Sequence, residues 1–70
     1  MTSMMNKIKI VSASELSKVI DAPRSNRGLY LSLESDGTDI VLVACDNSTG
    51  DAWVEEFYST KDAMRWLERA

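Results

Sequence analysis

The sequence contains no histidine, a single cysteine and a single proline. Without histidine, Ser-His-Asp and Cys-His nucleophilic systems, His-ligated metals and histidine pH switches are all excluded. Cys45 cannot form a disulfide within the chain, and with no histidine to activate it reads as an inert, buried or half-buried thiol. No apolar run approaches the roughly 18 residues of a membrane span, and no basic region followed by an apolar one opens the chain, so the default expectation is a cytoplasmic protein with no membrane partner. A further absence is local. Residues 34 to 60 contain no lysine or arginine, yet seven acids lie there: Glu34, Asp36, Asp39, Asp46, Asp51, Glu55 and Glu56. Residues 1 to 27 carry Lys7, Lys9, Lys18, Arg24 and Arg27 against only Glu15 and Asp21. The formal charge of -3 thus belongs to a chain that is electrically two-sided.

What is present is a fold signal. Gly28 to Tyr58 holds three strand-like runs separated by two turn-like breaks, the pattern of an antiparallel meander. Leu29, Leu31 and Leu33 alternate with Tyr30, Ser32 and Glu34, the period of a strand with one face buried. Asp36-Gly37 suits a two-residue hairpin turn. That turn would set Leu33 opposite Ile40, Leu31 opposite Leu42 and Leu29 opposite Ala44. It would also set Glu34 across from Asp39, a like-charge pair that a longer loop would relieve. Asp39 to Cys45 is apolar on both faces and reads as a central strand. Asp46 to Asp51 is dense in turn formers. In the last strand Trp53, Glu55 and Phe57 share one face and Ala52, Val54, Glu56 and Tyr58 the other; the aromatic pair argues that the first set points inward, with Arg65 or a first-strand lysine as partner for Glu55.

Met1 to Asn6 reads as a disordered leader, with Met4 and Met5 offering alternative starts, and residues 7–70 as one domain. Lys7 to Val11 alternates as a strand whose lysines suit an edge. Ser12 and Glu15 form a capping-box pattern, with Val11 and Leu16 placed for a hydrophobic staple. The helix they open should run from Ala13 to about Asp21, present Leu16, Val19 and Ile20 to the core, and stop before Pro23. Asp21 to Gly28 reads as a polar connection. A second, weaker capping pattern at Ser59 to Asp62 precedes Ala63, Trp66, Leu67 and Ala70, an apolar stripe at helical spacing flanked by Met64. The expected architecture is α+β in the order β-α-β-β-β-α: a mostly antiparallel sheet of three to four strands packed by two helices.

If both helices cover the leucine face, Tyr30, Val41, Val43, Cys45 and Val54 remain as a candidate interface on the open one, suited to a sheet-face homodimer. The alternative is one helix on each face, which leaves that surface covered. The seven acids form a candidate acidic surface for a basic partner, including a nucleic-acid-binding protein whose phosphate site they would occupy; ordinary solvated turns are the plainer reading. Lys7, Lys9, Arg24 and Arg27 form a candidate basic patch for weak nucleic-acid binding, against a plain solvated loop. Trp53, Trp66, Phe57 and Tyr58 fit core packing better than a stacking platform. Asp46 to Asp51 lacks the ligand spacing of an EF-hand loop, and Glu55 and Glu56, adjacent on a strand, point to opposite faces.

No catalytic, cofactor or metal site is expected. The short, compact, acidic character is of a kind shown by accessory proteins of phages and mobile elements, though no motif carries it. The reading is a non-enzymatic protein-protein interaction or regulatory domain, self-associating or binding a protein partner. Its alternatives are an acidic inhibitor of a nucleic-acid-binding surface and, next, a weak nucleic-acid binder.

Overall fold

A computed structural model describes residues 7–35 and 37–69. The expected leader, Asp36 and Ala70 lie outside the described residues. The elements follow the expected order: β1 (Ile8–Val11), α1 (Ala13–Asp21), a 3-10 turn (Pro23–Ser25), β2 (Gly28–Ser35), β3 (Ile40–Asn47), β4 (Trp53–Phe57) and α2 (Thr60–Glu68). The chain is a small α+β domain whose four strands lie in the order β1-β2-β3-β4. Two pairings are antiparallel, as expected; β1 runs parallel to β2, which makes the sheet mixed. Parallel neighbours need a crossover, and α1 supplies it.

Local chemistry explains the helices. Ser12 Oγ accepts from the Glu15 amide at 3.1 Å, and the Ser12 amide donates to Glu15 Oε1 at 3.3 Å, so both halves of the capping box are made. At α2 only one half is made: Ser59 Oγ accepts from the Asp62 amide at 3.4 Å. Each helix then buries a narrow stripe, Leu16 and Val19 on α1, Ala63 and Leu67 on α2. Ile20, expected in the core, is exposed.

The two stripes lie on opposite faces of the sheet, the second of the two arrangements weighed from sequence, and this overturns the candidate interface that depended on both helices covering the leucine face. Under α2, Ala63 and Leu67 pack on Ile8, Leu29, Leu31, Leu42 and Ala44, flanked by Phe57, Met64 and Trp66. Under α1, Leu16 and Val19 pack on Tyr30, Val41, Val43 and Cys45, flanked by Val11 and Ala52. The physical reason is β3, whose two faces are both apolar and both need cover. The β2–β3 register also differs from expectation. Leu33 faces Leu42, Leu31 faces Ala44 and Ser35 faces Ile40, a shift of two residues that lengthens the connection to residues 36–39. The shift keeps every side chain on its expected face, because the strand period is two, and sets Glu34 opposite Val41 instead of Asp39. In β4 only Phe57 of the expected inward set meets a core; Trp53 stays 65% exposed and Glu55 reaches solvent.

Candidate functional site: an open end and an open edge

The sheet has two unlike ends. At the end where β2 begins, Gly28 faces Asn47, and Asn47 is fully buried. Its Nδ2 donates to the carbonyls of Pro23 and Asn26, both at 2.7 Å, while its Oδ1 accepts from the Ala52 amide at 3.0 Å. The Tyr30 hydroxyl donates to the Asn26 carbonyl at 2.7 Å. These bonds tie the 3-10 turn to the β3–β4 loop, and Ala52 adopts a positive φ of 51° within that loop. Gly28, at φ 146°, has Tyr30 ring atoms 3.6 Å from where a Cβ would stand, so the start of β2 runs close beneath the ring.

At the other end, where β2 turns into β3, large aliphatic side chains of the α2 face stand exposed. Ile10 is 58% exposed, and Leu33 and Ile40 are each 57% exposed. They are neighbours: Ile10 pairs with Leu31, Leu33 lies two residues farther along β2, and Ile40 sits diagonally across from Leu33. On the α1 face of the same end, Glu34, Ser35, Val41, Val43, Glu56 and Tyr58 line a shallow cavity of about 170 Å³. Glu34 faces Val41 on β3, and Val43 faces Glu56 on β4, so two carboxylates flank a valine floor. A second cavity of about 240 Å³, on the α2 face, is lined by Phe57, Asp62, Arg65, Trp66 and Arg69. The Phe57 and Trp66 rings stand 5.9 Å apart there, tilted by 52°. Both cavities are smaller than the roughly 300 Å³ at which small-molecule sites begin, and both are of side-chain size.

The sites expected from sequence fare unequally. Of the candidate interface, Tyr30, Val41, Val43 and Cys45 are buried beneath α1 and only Val54 is exposed, because the crossover puts α1 on the face expected to be open. The candidate acidic residues do not form one surface. Glu34, Asp39 and Glu56 lie toward the open end, Asp46 and Asp51 at the opposite one, and Asp36 is outside the described residues. Asp46 is engaged by Ser48, whose amide donates at 3.0 Å and whose hydroxyl donates at 2.6 Å; Asp51 accepts from the Thr49 hydroxyl at 3.1 Å. Those two carboxylates serve turn chemistry. Glu55 and Glu56 point to opposite faces, as adjacent strand residues must.

The candidate basic residues gather loosely at the end where β2 begins. Lys9 Nζ stands 5.8 Å from the Tyr30 ring centroid, and Arg24 and Arg27 pack beside Gly50, where Arg27 Nε lies 3.5 Å from the position of an added Cβ. Asp46 and Asp51 share that end, so the basic groups do not present an unopposed positive field. Cys45 is fully buried; burial, and then the neighbouring Asp46 charge, push its thiol above the usual range and keep it protonated. No group of three or more metal-ligating side chains occurs among the described residues, and no helix there is long and apolar enough to cross a membrane. Sequence reasoning missed Asn47 as a structural tie and the Ile10, Leu33 and Ile40 patch. The chain matches no protein-family model, no curated protein and no solved structure.

Proposed function

We propose that the protein is a non-enzymatic interaction domain that binds another protein chain, a second copy of itself included, through the open end of its sheet. The observation carrying this reading is the adjacency of Ile10, Leu33 and Ile40, three large aliphatic side chains left more than half exposed while Leu29, Leu31 and Leu42 beside them are buried. Three such side chains offer roughly 300 Å², the lower end of the largest apolar patch on a typical monomer. An ordinary interface needs about 800 Å² per partner, so the contact has to continue onto neighbouring surface. The β4 side is the nearest: Phe57 faces Leu42, two residues from Ile40. The non-catalytic side of the reading is supported by Cys45, the single thiol, buried and held protonated, and by the absence of histidine from the sequence.

Solution mass by light scattering, over a range of concentrations at low and high salt, tests the self-binding form. Association through the aliphatic patch should persist in high salt and be abolished by Leu33→Asp. A mass that Leu33→Asp leaves unchanged, or an association that salt dissolves, would count against this surface. The acidic-inhibitor reading keeps one supporting observation, the shared cavity of Glu34 and Glu56, but loses the continuous acidic surface on which phosphate mimicry depends.

A further inference from the structure

The sheet's two outer strands are protected unequally. β1 has four residues and carries Lys9, with Lys7 just before it, the usual guard against strand addition. β4 has five residues, no lysine, no proline, and no strand on its far side among the described residues. Four of its five residues are exposed, Trp53 and Val54 among them, and Tyr58 beyond it is 70% exposed. A cavity flanks it on each face. On the α1 side Glu56 and Tyr58 open onto the valine floor shared with Glu34; on the α2 side Phe57 opens onto Trp66, with Asp62, Arg65 and Arg69 at the rim.

The geometry points to an extended segment of another protein, carrying adjacent basic residues, that adds to the sheet as a fifth strand beside β4. Strand addition draws affinity from main-chain hydrogen bonds and specificity from cavities that take alternate side chains. Successive residues of an added strand point to opposite faces, so two consecutive basic residues would meet Glu56 on one face and Glu55 on the other. Glu34 and Glu56 stand two strands and two residues apart, about 12 Å at ordinary strand geometry, so a basic residue beside β4 pairs with Glu56 while Glu34 adds to the negative field across the cavity. The aliphatic stem of that residue would lie along the exposed Tyr58 ring, with its charge beside Glu56. Apolar residues flanking the basic pair would meet Val54 on the α1 face and Phe57 on the α2 face. Charge sets the class of strand on the α1 face, where Glu34 and Glu56 line the cavity with no cation beside them; on the α2 face Arg65 and Arg69 at the cavity rim balance Glu55 and Asp62.

This inference rests on the reading of the chain as an interaction domain and names the chemistry of its partner. The test uses the full chain, isotope-labelled for amide NMR, and a capped synthetic peptide, acetyl-Thr-Val-Lys-Lys-Val-Thr-amide. Saturable shifts should centre on residues 53–57. Affinity should fall about tenfold in the Glu55→Gln/Glu56→Gln double variant, the combined scale of two exposed ion pairs. A peptide N-methylated at alternate amides should not bind, and one with glutamates in place of the lysines should not either. The inference is overturned by no saturable shift up to millimolar peptide, by binding that survives N-methylation, or by equal binding of the glutamate peptide. Shifts centred on Ile10, Leu33 and Ile40 overturn the added strand and leave the interaction domain standing. Growth in mass without limit as concentration rises would assign the edge to the β1 strand of a second copy. Absence of peptide binding together with a monomer at every concentration overturns both readings.

Discussion

One end of this sheet is knit together by buried hydrogen bonds, and the other exposes three large aliphatic side chains. At the first, a fully buried asparagine satisfies two carbonyls and one amide from two different loops. At the second, three aliphatic side chains of strand residues stand in solvent, although the strands carrying them are as regular as elsewhere. The difference separates two roles that a 70-residue domain has to divide between limited surfaces. Polar satisfaction at one end fixes the loops, and exposure at the other leaves surface for a partner. Substitutions at the two ends should therefore act on different properties, stability at the first and association at the second.

The largest expected effect is at the closed end. Asn47→Ala strands the Pro23 and Asn26 carbonyls and the Ala52 amide, and should cost about 3 kcal/mol in a urea titration. A domain of this length has a total stability of roughly 3.5–10 kcal/mol, so the loss is about 30% or more of the whole. A change below about 1 kcal/mol would mean that water replaces the amide easily and that the end is not held as described.

A smaller loss, about 1 kcal/mol, is expected from Tyr30→Phe, which keeps the ring against Gly28 and Lys9 and removes the hydroxyl that donates to the Asn26 carbonyl at 2.7 Å and, more distantly, to the Arg27 carbonyl at 3.5 Å. Combined with Asn47→Ala the two losses should not add, because both act on the Asn26 carbonyl. Full additivity would show that the two bonds are independent and that the closed end is not one network.

How much of this contrast the sequence discloses depends on how local the physics is. The Ser12–Glu15 capping box, the α1 span and the element order are readable because each depends on residues a few positions apart. The face of every β2 and β3 side chain is readable too, but not the register, since alternation is blind to a slip of two. The turn at Asp36-Gly37 names the place of the connection and not its length; the like charges on Glu34 and Asp39 were the clue that it is longer. Which helix covers which face is set by the parallel crossover, a long-range feature that leaves no periodic trace. Its consequence, the burial of Val41 and Val43, was foreshadowed only by β3 being apolar on both sides. Asn47 had no signal of its own: in a run such as Asp-Asn-Ser-Thr-Gly a buried asparagine and a solvated one look alike.

The smallest expected effect on stability is the most informative about function. Leu33→Thr with Ile40→Thr keeps the β-branched or strand-compatible character of both positions and removes aliphatic surface that is already more than half exposed. At protein concentrations where the chain is monomeric, the double variant should change unfolding free energy by less than about 1 kcal/mol, the scale of ordinary surface substitutions. A loss of about 2 kcal/mol or more would make these residues part of the core and remove the contrast between the ends. If the patch joins two copies, the wild-type unfolding midpoint should rise with protein concentration, since association stabilises only the folded chain, and the variant's midpoint should not. A concentration-independent midpoint in both proteins would mean that this end waits for a different chain, and the peptide titration at β4 then becomes the measurement that tells what kind.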